Sequence, residues 1–161
     1  MAAIGLVVRA QRGDPAAVVA PLRELLARHG TAGFREALAT ALLLAGEAEE
    51  AADLLGSVLA ARSKPSRGSL LIRGSLARAH LEAGHLDAAE REAGVVLATG
   101  AWPAGHPALL AAQATLARVV ARRGHREEAI RGLEAVVAGF GAALGPGHTR
   151  TREAAAWLGE M

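Results

Sequence analysis

An all-α solenoid of antiparallel helix pairs is the fold class this sequence predicts, and three observations predict it. The first is a repeated phrase: Gly46, Gly84 and Gly124 open GEAEEAADLL, GHLDAAEREA and GHREEAIRGL, at steps of 38 and 40 residues. A fainter copy around Gly13 lies 33 residues before Gly46. The second is the framing of each Gly. A Leu-Ala precedes it at a fixed offset (Leu38-Ala39, Leu76-Ala77, Leu116-Ala117), and an Ala follows five residues on (Ala51, Ala89, Ala129). The third is composition: Ala, Leu, Val, Glu and Arg dominate, and runs of β-branched or aromatic residues are nearly absent, which favours helix over strand. Self-similarity at this period marks two-helix units that each need a neighbour to cover their apolar side.

The elements follow in order from apolar periodicity and punctuation. A first helix is expected over 2–12, ended by Gly13. Asp14-Pro15 starts the second, with Asp as N-cap and Pro at the first helical position. Val18, Val19, Leu22, Leu25 and Leu26 form its stripe, and His29-Gly30 closes it. The next two run over Ala32–Ala45 and Ala48–Arg62. Ser63-Lys64-Pro65-Ser66 is the clearest break, because a proline disfavours helix at the residue before it. Helices over 67–83 and 86–99 come next, then the loop Thr99-Gly100-Ala101-Trp102-Pro103. Leu109, Ala112, Leu116 and Val119 stripe a helix over Pro107–Arg123; Ile130, Leu133, Val137 and Phe140 stripe one over Arg126–Ala143. After Gly145-Pro146-Gly147 a last helix spans 149–159. One domain over 1–161 results, with repeats at 1–30, 31–62, 67–100 and 106–143 and a closing helix at 148–160.

The repeated Gly sits where the first helix of a pair must stop, and a left-handed residue there satisfies orphan carbonyls at no steric cost. Acidic residues follow each copy, among them Glu49, Glu50, Asp87, Glu127 and Glu128, and suit the positive end of the next helix. The Ala five residues on is small because the two helices of a hairpin cross closely there.

Composition narrows the function. Cysteine is absent, which removes disulfides and thiolate metal sites. The net charge of +2 is too small to imply nucleic-acid binding. No segment reaches the ~20 apolar residues of a membrane span. The opening MAAIGLVVRAQ lacks the basic region and the cleavage site of a signal peptide, so it reads as a helix and the default location is cytoplasmic.

The spacing of Leu-Ala, Gly and Ala resembles the tetratricopeptide repeat, with three good copies and the one around Gly13 loose, since Val18 stands where Ala is expected. Gly105-His106-Pro107 and Gly147-His148-Thr149 recur 42 residues apart, and Leu144-Gly145-Pro146-Gly147-His148 precedes the last helix. This is similar to the longer, kinesin-light-chain-like variety frequent in bacterial multidomain proteins. The resemblance implies a right-handed superhelix whose concave wall is lined by the first helix of each pair. It also implies binding of peptides or protein surfaces, without catalysis. The family's carboxylate clamp of Asn and Lys has no counterpart: the chain has no Asn, and its one Lys, Lys64, lies in a loop. The large aromatic usual four residues before the Gly is replaced by Leu42, His80 and Val120.

By the resemblance, the side chains six residues before each Gly face the groove: Thr40, Arg78 and Arg118. One turn further on, Glu82 and Arg122 share that face, and Arg73 and Gln113 sit close to it one turn earlier. Repeated Arg would form a basic strip suited to carboxylates or phosphates; the alternative is a solvated face with each Arg paired to a nearby Glu. His85, His125, His106 and His148 fall one repeat apart, on the order of 10 Å between adjacent pairs, and no metal site or cofactor is expected from them. His80 occupies a core position within its pair. No catalytic constellation is present, so the expected function is non-catalytic binding of a protein or peptide, of acidic character, through the groove. A small-ligand or peptide-signal pocket inside the solenoid and an accessory subunit of a partner enzyme are the alternatives. A peptide groove should be open and polar along Arg78 and Arg118, a ligand site closed and apolar. The closing helix is expected to cap the solenoid, with Arg150, Arg152, Glu153 and Glu160 making its outer face polar and Trp157 against the preceding helix. That leaves a monomer or weak homodimer.

Overall fold

The computed structural model describes residues 15–62 and 65–161. The helix expected over 2–12, the Asp14 cap and Lys64 lie outside the described residues. Among those residues there are eight helices and no strand: α1 Ala16–His29, α2 Ala32–Ala45, α3 Ala48–Ala60, α4 Arg67–Glu82, α5 Leu86–Ala98, α6 Pro107–Arg122, α7 Arg126–Leu144 and α8 Thr149–Gly159. The boundaries fall within two residues of those read from the sequence.

Each helix end has a local cause. Gly46, Gly84 and Gly124 take φ of 84°, 86° and 91°, the left-handed turn that separates the helices of a pair. Thr31 caps α2, Ser66 and Ser69 form a reciprocal capping box at the start of α4, and His106 and His148 cap α6 and α8. In both histidine caps Nδ1 accepts a backbone N–H at 3.2 Å, from Ala108 and from Arg150. That gives the recurrent Gly-His a structural role. Among the described residues no group of His, Cys, Asp and Glu is placed to hold a metal ion.

The helices stack in chain order, each against the next, and α4 also touches α2 and α6 along the inner wall. Ala51, Ala89 and Ala129 are fully buried where hairpin partners cross. Gly132 shows how close that crossing is: a Cβ there would meet Cβ of Ala117 at 3.0 Å. The core is divided, as a repeat architecture requires. Val18, Leu22, Leu38, Leu42, Leu55 and Ile72 fill α1–α4; Leu110, Leu133, Val136, Phe140 and Ala154 fill α6–α8.

Candidate functional site

On the inner wall, α4 and α6 run side by side and present Arg78 and Arg118. The third side is α8, which packs closely on α7 and reaches α4 and α6 through side chains. Leu70, Leu71 and Gly74 of α4, Ala108 and Ala111 of α6, and Arg150, Glu153 and Trp157 of α8 line a pocket of about 140 Å3, with Phe140 beneath. Its deep end is charged. Arg78 donates to Glu153 Oε1 at 2.5 Å and Oε2 at 3.5 Å. Arg118 donates to Glu82 Oε1 at 2.6 Å and Oε2 at 3.4 Å. Both guanidinium groups lie over the Trp157 ring, Arg118 at 4.5 Å from its centroid and Arg78 at 5.6 Å, so the ring face stabilises two cations at once.

Arg122, one turn beyond Arg118, donates to the Leu81 carbonyl at 2.5 Å and to Glu82 at 3.5 Å. Burial pushes the Glu82 carboxyl up, but the hydrogen bond from Arg118 and the charges of Arg118, Arg78 and Arg122 outweigh it. The pKa of Glu82 ends below the ordinary carboxylate value. Arg150, by contrast, is exposed at the pocket and takes no part in an ion pair among the described residues. Four arginines (Arg78, Arg118, Arg122, Arg150) thus face two glutamates (Glu82, Glu153). The surplus equals the formal net charge of the whole chain, +2. The rest of the chain sums to zero.

The other residues singled out from the sequence go elsewhere. Arg73 pairs with Glu92 of α5 at 2.5 Å, and Gln113 lies in a separate recess with Glu90, Val120 and Glu128. Each stands five residues before its groove arginine. At about 100° per residue that turns it roughly 140° away from the groove. The Thr40 hydroxyl donates to the Glu36 carbonyl of its own helix at 3.0 Å and does not line the pocket. His80 is half-buried, with an Nδ1 that has no hydrogen-bond partner, and its ring lies 5.7 Å from that of His85. Desolvation first, then the neighbouring His85, hold its pKa below the ordinary histidine value.

The contribution of α8 is the part that reading the last helix as an end cap misses. Arg152 and Glu160 do face water, but Arg150 and Glu153 line the groove and Trp157 lies under the two arginines. The signal was present. Adding the 42-residue step between His106 and His148 maps Ala111 onto Glu153 and Thr115 onto Trp157. Because Ala111 and Thr115 both line the pocket, their equivalents should too. In other words, α8 takes the position along the inner wall that α4 and α6 hold.

No protein-family model matches the chain, and no curated protein matches it. Solved structures do. Two crystal structures, one of a point variant, of the nearly identical TPR-like repeats of a Podosopora anserina protein named as a kinesin light chain superpose with a TM-score of 0.69 at 26% sequence identity. Each match covers 99% of this chain and 82% or 83% of the other. The chain therefore has the TPR-like repeat fold, an all-α superhelical solenoid.

Proposed function

We propose that the protein is a non-catalytic interaction module. In this reading a partner protein or peptide docks on the inner wall by placing an apolar side chain in the α4–α6–α8 pocket and a carboxylate on Arg150. The uncompensated positive charge of that wall, next to an apolar slot, is the observation that carries it. Arg150 is exposed and lacks an ion-pair partner among the described residues, while Leu70, Leu71, Ala108 and Ala111 beside it offer apolar surface. Size speaks against a small ligand in this pocket. A volume of about 140 Å3 suits one side chain, whereas sites for drug-sized ligands run to ~300–1,000 Å3. Its polar rim is also unlike a closed apolar cavity.

A test uses site-specific photocrosslinking in the native host. A crosslinker replacing Ser75, exposed on the pocket wall, should capture one defined partner, and a crosslinker replacing Gln113 on the separate recess should not. Gly74→Leu sharpens the test, because a Cβ at Gly74 meets open space and the side chain would fill the slot without disturbing the helix. Capture at Ser75 that survives Gly74→Leu, or equal capture at Gln113, would contradict the reading.

A further inference from the structure

The closing helix is held in two different ways. Against α7 it packs closely along its length. To α4 it is tied across the groove by side chains: Glu153 on Arg78, and the Trp157 ring beneath the Arg78 guanidinium. The buried Nε of Arg78 has no hydrogen-bond partner, so the hydrogen bonds of this guanidinium rest on Glu153 alone. The pair is neither sealed nor free, with Arg78 34% and Glu153 31% exposed. Water and solutes can therefore reach a contact that bridges two non-adjacent helices. It also divides the inner wall. Arg78, Glu153 and Trp157 line the pocket themselves, and Glu82 with Arg122 lies one turn further along the helices. A segment that touched both would have to cross the Arg78–Glu153 pair.

We propose that Glu153 and Trp157 form a strap that ties α8 to α4 and bars the groove, and that a partner's carboxylate opens it by taking the place of Glu153 on Arg78. The first half stands on the geometry alone; the second rests on the groove-binding reading above. The exchange replaces one charge-assisted carboxylate–guanidinium pair by another. It therefore costs little beyond releasing α8, which stays attached through α7. Trp157 would lose the Arg78 contact on opening and keep its place against the Phe140 cluster.

The experiment uses the full chain with spin labels on cysteines replacing Val95 of α5 and Ala155 of α8, both exposed and in a background without native Cys. The wild-type distance distribution should be narrow. Glu153→Gln should widen it and shift it outward, while circular dichroism shows unchanged helix. Trp157 emission, read in a Trp102→Phe background, should move to the red. If Glu153→Gln does not fold, Arg78→Gln breaks the same pair from the other side. A distribution like wild type in the folded variant overturns the strap. Hexaglutamate added to wild type should reproduce the widening and should bind Glu153→Gln about tenfold more tightly, the factor corresponding to 1.4 kcal/mol. Widening in Glu153→Gln but none with hexaglutamate keeps the strap and overturns its opening by a carboxylate.

Discussion

The ion pairs of the outer wall and those of the inner wall have similar lengths and different surroundings. On the outer wall, Arg23 meets Glu50 at 2.5 Å, and Arg123 meets Asp87 at 2.7 Å and Glu90 at 2.8 Å. On the inner wall Arg118 meets Glu82 at 2.6 Å and Arg78 meets Glu153 at 2.5 Å. Exposure of the carboxylates separates them: Glu50, Asp87 and Glu90 are 42%, 87% and 53% exposed, Glu82 and Glu153 28% and 31%. Coulomb attraction is screened in the first set and much less so in the second. The outer arginines are also matched by the acids they touch, Arg23 by Glu47 and Glu50, Arg123 by Asp87 and Glu90. The inner arginines outnumber theirs. Bond length alone would have ranked the two walls together; burial and charge balance distinguish the proposed docking surface from the solvated one.

The contrast can be broken most severely from below. Phe140 is 2% exposed beneath the pocket and in contact with the cluster that holds Trp157. Phe140→Ala should cost about 3–5 kcal/mol in urea unfolding and should dislodge α8. Glu82→Ala comes next. It strips Arg118 and Arg122 of their carboxylate and should cost about 1–3 kcal/mol, the range for leaving a half-buried charged partner unsatisfied. If Glu82→Ala costs no more than Arg23→Ala, the difference between the walls is not energetic.

A pH series tests the same asymmetry without mutation. The folded pKa of Glu82 is depressed, so its contribution to stability is present above 4.5, the unpaired value, and is lost as pH falls below it. His80 is also depressed, so folding favours its neutral form. Its contribution is present above 6.5 and is lost as pH falls through the folded pKa. His85, Glu92, Arg91 and Glu49 are the charged or titratable groups that act on it. The melting temperature should therefore decline in two stages on acidification, and His80→Leu should remove the upper stage alone. The smallest effect is expected on the outer wall: Arg23→Ala should melt at the wild-type temperature in 1 M salt and close to it at low salt.

Much of the fold could be read from the sequence because helix ends in this chain are written in short-range chemistry. Gly46, Gly84 and Gly124 stop helices by a backbone conformation, and Ser66, Thr31 and His106 start them by a side-chain acceptor. Neither depends on distant residues. The groove was legible only in part. Arg78 and Arg118 could be placed because they hold a fixed offset from a capping Gly. Arg73 and Gln113 could not, since a difference of five residues instead of four turns a side chain off the face. Glu153 and Trp157 required recognising that the last helix also continues the inner wall. Whether Glu153 meets Arg78 depends on the curvature accumulated over α4 to α8, which no local pattern encodes.

If the inner wall is the docking surface, a partner's carboxylates meet Arg78, Arg118 and Arg150 and leave the paired arginines Arg23 and Arg123 untouched. Side-chain Nε–Hε NMR of the arginines during a hexaglutamate titration measures this directly. Arg150 and Arg78 should shift first and saturate together with Arg118, while Arg23 and Arg123 stay within the line width. Equal shifts at Arg23, Arg123 and Arg150, or shifts confined to the outer pair, would contradict it.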